Sequence, residues 1–255
     1  MKKIVKQQAN LLDEQTSITN KKMARIYQEQ AKEIIAEMED LYIDMLADGE
    51  ISLAELYKQD RYFKLIANIN KKLKALGAKE IKILDNGMLD LYKNTYDLIN
   101  HNAEFAMISD RLIKETLEQV WCNDGKKYSS RIWQHKTELQ EALQKGLIDC
   151  VVQGKDHRKM VKQIQNDFNV AQHQAECIVR TELSHAQNKA AAAGYIDAGY
   201  TMYEIISATD GRTCDLCHSM NGKKFYFTEA KEGENFPPLH PNCRANIVGY
   251  REGDK

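Results

Sequence analysis

All three prolines of this 255-residue chain lie within five positions, at 237, 238 and 241. Proline removes a backbone donor and fixes φ, so its absence from the long stretch before position 237 leaves helices free to form there. From residue 21 to residue 47, apolar side chains recur at alternating intervals of four and three, the pattern of a helix packed along another helix. We interpret this stripe as a helix inside a bundle, with a partner-binding or self-associating helix as the alternative.

The predicted fold is mainly α with a small C-terminal α+β unit, in which helices pack on a short β-hairpin with a Cys/His-rich loop site. Residues 1–20 are expected to be loose because they show no apolar periodicity. The remaining predicted helices span about 52–77, ended by Gly77, then 78–100, 109–122 and 128–154, ended by Gly154. Strands are predicted at 201–207, 224–228 and 245–250, with Asn123–Gly125 and Asn221–Gly222 as turns.

Residues 155–190 are predicted to form two helices, with a turn at Phe168–Val170. A pair of this length is compatible with a DNA-binding helix-turn-helix. The charge supports this weakly, because residues 155–189 hold six lysines and arginines against four acids. The alanine run at 190–193 indicates close helix packing instead of base reading.

The pattern that most clearly carries chemistry is Cys214-x2-Cys217 followed by His240-x2-Cys243. Two thiolates three residues apart bind one side of a tetrahedral ion, and the distant His/Cys pair closes the other. Four protein ligands make a closed site, so we expect a structural zinc ion. Alternatives are buried thiols without metal, a disulfide or redox use, and His218 competes for a ligand position.

Composition excludes several classes of function. The formal net charge of −1 gives no global attraction to nucleic acid or to an anionic membrane. The sequence contains no run of 18 apolar residues, so no membrane span is predicted. The first residues lack the apolar segment of a signal peptide. A chain kept in a reducing cytoplasm favours thiols or metal ligation for its six cysteines, of which Cys122, Cys150 and Cys177 are interpreted as ordinary buried residues.

Arg180 and Glu182 lie on the second helix of the predicted pair. We expect them to lie against the loop of Asp210 and Arg212 as a buried polar brace. The alternative is that Arg180 forms only a solvated pair with Glu176, four residues away on the same helix face.

In order, the motifs are Gly154, Arg180-Thr-Glu182, Asn188 with Ala190, Asp210-x-Arg212-Thr-Cys214-x2-Cys217, Gly222 and Pro237-Pro-x-His240-Pro-Asn-Cys243-Arg244. This order over residues 128–250 resembles the Mu F-like minor head proteins of tailed phages. One departure is Ala245, where many relatives carry a further cysteine.

The resemblance implies a non-enzymatic minor capsid protein that associates with the portal during procapsid assembly and contacts packaged DNA. Residues 1–125 would then be a helical region for portal or partner docking, and residues 126–255 the head morphogenesis domain. Further expected partners are the scaffold or major capsid protein and non-specific double-stranded DNA, without a membrane. The expected location is the virion, at the capsid interior or portal vertex, after assembly in the host cytoplasm.

The resemblance also implies roles for the motif residues. Cys214, Cys217, His240 and Cys243 would be metal ligands, whereas Arg180, Glu182, Asp210, Arg212 and Arg244 would hold the module together. A different class of function remains open, a metal-dependent nuclease or hydrolase built on Asp210 and His240, with Asp215 or His218 as general base. The closed ligand set fits that class less well, because a catalytic metal keeps an open position.

Overall fold

The computed structural model describes residues 2–49, 51–100, 109–122, 124–153, 157–208 and 210–251. Over these ranges the predicted fold class is confirmed, since helices precede and surround a small C-terminal antiparallel sheet. The elements are α1 (Lys2–Ala47), α2 (Leu53–Tyr57), α3 (Arg61–Ile99), α4 (Asp110–Leu117), α5 (Tyr128–Val152), α6 (His157–Asp197), β1 (Met202–Ile206), α7 (Asp215–Met220), β2 (Lys224–Tyr226) and β3 (Asn246–Tyr250). The predicted helix end at Gly154 and the start of the turn at Asn123 lie outside the described residues.

Helix α1 begins at Lys2, so the prediction that residues 1–20 are loose is wrong. Tertiary contacts stabilise this segment, because Gln8 and Leu12 are buried and the carbonyl of Gln8 accepts from Gln187 Nε2 at 2.7 Å. Helices in proteins owe most of their stability to such packing and less to local propensity. The absence of a regular apolar stripe therefore did not prevent helix formation.

Helix α3 runs without a break through Gly77, where the sequence predicts an end. A Cβ added at Gly77 would lie 2.6 Å from Cζ3 of Trp133. The glycine is thus needed for a close approach of the indole and does not terminate the helix.

Helix α6 is also continuous, so the predicted turn at residues 168–170 is wrong, and with it the helix-turn-helix. Phe168 is buried in an apolar cluster, whereas Val170 is 61% exposed, as expected for two positions on different faces of one helix. The segment has no glycine or proline to end the helix, and one asparagine does not interrupt it.

The sheet has the order β2-β1-β3, with both pairs antiparallel. Gly222, in the predicted turn, has φ of +80° and leads into β2. The segment between β1 and β2 also holds α7, so the loop that carries the first two cysteines projects from one end of the sheet.

The chain divides into two compact units. Unit 1 contains residues 1–20, 83–128 and 176–255, and unit 2 contains residues 21–82 and 129–175. Each unit therefore contains residues from before and from after the predicted boundary at 125/126. The functions assigned to the two predicted regions stay predictions.

The apolar stripe of α1 lies in the core of unit 2, which confirms the interpretation as a bundle helix. Its members Tyr27, Ile34, Met38, Leu41 and Met45 are buried there. The core of unit 1 contains the sheet residues Tyr203, Ile205 and Ile247 together with Cys217 and Cys243.

Candidate metal centre

Helix α7 holds the first two thiols in a fixed arrangement. Cys214 is its N-cap, and the backbone N–H of Cys217 donates to Cys214 Sγ at 3.5 Å. This hydrogen bond lowers the pKa of the Cys214 thiol. Cys217 is buried one turn further on, and its burial together with the neighbouring Cys243 thiol raises the pKa of Cys217.

His240 brings an imidazole nitrogen to both sulfurs. Its Nε2 lies 3.2 Å from Cys214 Sγ and 3.1 Å from Cys217 Sγ. Its Nδ1 lies 2.7 Å from the carbonyl oxygen of Pro241, so a proton on Nδ1 leaves the Nε2 lone pair directed at the thiols. Histidines that bind metals characteristically donate their second ring N–H to a carbonyl or carboxylate in this way.

Cys243 completes the predicted set from the buried side. Its Sγ lies 3.7 Å from Cys217 Sγ, but it stands outside the group of ligand atoms that all lie within 4.8 Å of one another. That group is Cys214, Cys217 and His240. His218 is exposed and also lies outside this group, whereas Cys243 Sγ is in contact with Cys217 Sγ, so His218 is the weaker candidate for a fourth ligand.

The donor types and the spacing of Cys214, Cys217 and His240 fit three ligands of a tetrahedral ion. Zinc–sulfur and zinc–nitrogen bonds of usual length place two sulfurs about 3.8 Å apart and a sulfur and a nitrogen about 3.5 Å apart. The distances here, from 3.1 to 3.7 Å, are close to those values. None of the six cysteines forms a disulfide, so the three candidate cysteines each keep a thiol that could bind a metal.

The space beside the cluster is small. A cavity of about 20 Å³ is lined by Cys214, Cys217, His240, Arg244 and others. That volume holds roughly one water molecule, so it offers no binding site for a substrate.

Asp210 and Arg244 form the brace of the cysteine loop. Arg244 Nη1 donates to Asp210 Oδ2 at 2.9 Å, and Arg244 Nη2 donates to Asp210 Oδ1 at 2.5 Å. Asp210 also accepts from the backbone N–H of Arg212 at 3.0 Å, while the Arg212 guanidinium is mostly exposed. The hydrogen bonds from Arg244 and then from Arg212 hold the pKa of the Asp210 carboxyl well below its usual range.

Arg180 and Glu182 make contacts with other helical segments, and their predicted contact with that loop stays a prediction. Arg180 Nη1 forms an ion pair with Asp13 at 2.6 Å, and Glu182 accepts from Trp121 Nε1 at 3.1 Å. Both residues therefore connect α6 to other helical segments of unit 1. The residue between them contacts the loop of the candidate ligands His240 and Cys243.

Thr181 is that residue, and sequence reasoning missed it. Its Oγ1 accepts from the backbone N–H of Asn242 at 3.0 Å and donates to the carbonyl of Cys177 at 2.7 Å. Asn242 has φ of +59°, a left-handed conformation that asparagine tolerates better than most residues. Thr181 therefore holds the turn that separates His240 from Cys243.

A second missed group links α6 to the segment before His240. Glu232 lies 3.2 Å from Nε2 of the fully buried His185 and 2.6 Å from Lys189 Nζ. Trp121 stacks on His185 with ring centroids 4.8 Å apart. The sequence signal that could have indicated this group is the pair His185 and Lys189, four residues apart on α6 and next to the alanine run at 190–193.

The fold and the site define a class: a mainly helical protein whose C-terminal sheet carries a Cys/His cluster able to hold a metal ion. Residues 141–248 match the family described as Phage Mu protein F like protein. The resemblance to the Mu F-like phage head family is thereby confirmed for this segment, which contains all four candidate ligands. The matched segment covers 108 of the 255 residues.

No curated protein and no solved structure matches the chain. A search of the described helices finds none that is both long and apolar enough to cross a membrane.

Proposed function

We propose that this chain is a minor head protein that associates with the portal during procapsid assembly. The observation that carries the proposal is the family match over residues 141–248, which contains the whole Cys/His cluster. Scaffold or major capsid protein and non-specific double-stranded DNA are further proposed partners. Because α6 is a single helix, such DNA contact would rest on phosphate attraction and would weaken steeply with salt.

The head-assembly role is tested in the phage or prophage that encodes the chain. Mass spectrometry of purified procapsids should find the full-length protein, and it should co-sediment with isolated portal oligomers. Deletion of its gene should lower the yield of filled heads. Normal heads after deletion, together with absence of the protein from particles, would refute the role.

The proposed role of the cluster is to bind one structural zinc ion. Zinc would supply Lewis-acid charge, but with Cys243 as the fourth ligand the ion would have no open position, and the cavity beside it, about 20 Å³, holds roughly one water molecule. The chain's own residues arrange the ligands: α7 orients Cys214 and Cys217, and the Asp210–Arg244 pair holds the loop between β1 and α7. No observation therefore favours the alternative hypothesis of a metal-dependent nuclease or hydrolase.

Metal binding predicts a specific effect of removing one ligand. The purified protein should contain about one zinc ion per chain, and Cys243→Ser should lose it. If the loss costs about 3 kcal/mol, the Tm should fall by about 6–12 °C for a chain of this size. Elemental analysis and calorimetry measure both quantities.

Cys122→Ser is the matched control, because Cys122 is a half-buried thiol outside the cluster. It should keep both metal content and Tm. Equal metal content in wild type, Cys214→Ser and Cys243→Ser would contradict the zinc site. The head-assembly role would not be affected by that result.

A further inference from the structure

One end of unit 2 exposes an unusual amount of apolar surface. Of the 14 large hydrophobic residues that are exposed in the described part of the chain, six lie in the helix ends that meet there. We call these six the tip surface: Ile43, Leu46, Leu53, Tyr57, Phe63 and Val152. Soluble monomers rarely expose large contiguous apolar patches, and those that occur mark interaction sites.

Side-chain contacts bring these helix ends together. Arg61 at the start of α3 forms an ion pair of 2.5 Å with Asp48, next to the end of α1. Tyr42 near the end of α1 lies against His157, the first residue of α6, with ring centroids 5.8 Å apart. Val152 is the last residue of α5 and precedes His157 by five positions. The ends of α1 and α5 and the starts of α3 and α6 therefore surround the tip surface.

An aromatic group forms the most prominent part of this surface. Tyr57 lies 5.2 Å from Tyr62 and 5.9 Å from Phe63, measured between ring centroids, and Tyr62 and Phe63 lie 5.5 Å apart. Phe63 is nevertheless 61% exposed. A phenyl ring held by its neighbours and open to water is the kind of side chain that anchors protein interfaces.

The tip surface has charge of opposite sign on its two sides. The described residues of 39–64, from the end of α1 to the start of α3, include six acids and three basic residues. The described residues of 145–162, from the end of α5 to the start of α6, include four basic residues and one acid. Asp40 and Asp44 are exposed on the first side, and Lys145 and Lys159 are exposed on the second.

The basic side also contains a groove. It has a volume of about 410 Å³ and lies between α5 and α6. Its lining includes Cys150 and Met160, the two cations Lys145 and Lys159 and one acid, Asp149, so the groove carries a net positive charge. An apolar side chain flanked by carboxylates matches this lining, and the acidic side of the same surface presents such side chains.

We propose that the tip surface binds the tip surface of a second copy of this chain. In a twofold-symmetric dimer, each copy uses the same patch, so a surface must be complementary to itself. Here the acidic, aromatic side of one copy meets the basic, grooved side of the other, and the converse contact forms at the same time. The apolar stripe of α1 is already buried inside unit 2, so the dimer forms through the bundle end and not through that stripe.

The first test is the oligomeric state of the full-length protein, measured by sedimentation velocity over a range of concentrations. Wild type should dimerise, and the double variant Ile43→Ser/Phe63→Ser should weaken the dimer at least about tenfold in Kd. Val170→Ser is the matched control, because Val170 in the same unit has the same 61% exposure as Ile43 and Phe63 but lies in the middle of α6. Equal thermal melting of all three proteins excludes misfolding.

The second test uses charge reversal. Asp40→Lys/Asp44→Lys and Lys145→Glu/Lys159→Glu should each fail to dimerise alone, because like charges then face each other. An equimolar mixture of the two variants should restore a dimer, since every contact again joins opposite charges. Such rescue is specific to a symmetric pairing of acidic and basic sides.

Three outcomes would overturn the proposal: a monomeric wild type, a dimer indifferent to Ile43 and Phe63, or no rescue on mixing. If the wild type is monomeric and the tip variants instead lose binding to portal oligomers, the surface belongs to the portal contact. These results leave the head-assembly role to be judged separately by particle composition.

Discussion

The side-chain amide of Asn188 forms two hydrogen bonds with the backbone at β3, in the way that the backbone of a neighbouring strand would. Its Oδ1 accepts from the N–H of Ile247 at 3.1 Å, and its Nδ2 donates to the carbonyl of Ala245 at 3.3 Å. These two groups belong to the free edge of the sheet, at β3. The residue is 1% exposed, so both backbone groups would be buried without a partner if the amide were absent.

We therefore expect Asn188→Leu to lower the free energy of unfolding by about 2–4 kcal/mol, because two buried backbone groups lose their partners. Urea denaturation measures the change. Asn166→Leu, at an exposed position of the same helix, should change stability by less than about 0.5 kcal/mol. Equal effects at the two positions would show that the contacts with β3 do not matter.

Sequence reasoning identified the candidate ligands and the supporting residues Asp210 and Arg244, but not the contacts of Thr181 and Asn188, for a physical reason. Cys214, Cys217 and His240 can be recognised from residue type and spacing, because few functions other than metal binding need that pattern. Thr181 and Asn188 act through ordinary hydrogen bonds to the backbone of distant segments. Their residue types carry no information about which distant carbonyl or N–H they meet.

At the scale of whole elements, one of the wrong predictions came from a glycine. Gly77 was interpreted as a helix end because glycine weakens helices locally, yet α3 continues past it. The helix is kept by packing: Trp133 lies where a Cβ would be. Local propensity and tertiary packing gave opposite answers at this position, and packing prevailed.

We therefore expect the effect of Gly77→Ala on the free energy of unfolding to change sign when Trp133 is removed. Gly77→Ala should destabilise the wild type, because the new Cβ would lie 2.6 Å from the indole of Trp133. In a Trp133→Ala background the clash is gone, and the same change should stabilise by up to about 1 kcal/mol through helix propensity. Denaturation of the four proteins of this cycle measures the coupling, and a destabilising Gly77→Ala in both backgrounds would refute the account.

At the scale of the whole molecule, acid stability should depend on Glu232. Burial of this carboxyl opposes its ionisation, but the hydrogen bonds and attraction of His185 and then Lys189 outweigh that effect and lower the pKa to about 2. A carboxyl with a lowered pKa stabilises the folded state above its usual pKa, and the contribution is lost as the pH falls from about 4.5 towards 2. The contribution at neutral pH is at most about 3 kcal/mol.

Glu232→Gln should accordingly be less stable than wild type near neutral pH, and the difference should shrink below about pH 4. Denaturant titrations at several pH values measure it. Glu234→Gln, a more exposed neighbour, is the control and should follow wild type at every pH. A gap between wild type and Glu232→Gln that persists at the lowest pH would contradict the assignment.

The arrangement of the whole chain was the least predictable feature. Helical periodicity and the Cys/His spacing are local signals, and they gave the fold class and the site. The composition of the two units depends on which distant segments pack together: residues 83–128 join residues 176–255, while residues 21–82 join residues 129–175. No local pattern encodes that choice, so a linear boundary was the only one that the sequence could suggest.

This interleaving sets an order of events during translation. Unit 2 has all its residues once Ala175 has been synthesised, whereas unit 1 still lacks the 80 residues from Glu176 to Lys255. At about 5–20 residues per second, the ribosome needs roughly 4 to 16 s to supply them. The tip surface is thus complete on the nascent chain seconds before the last candidate zinc ligand has been added, so two chains emerging from one messenger would be able to pair before either can bind metal.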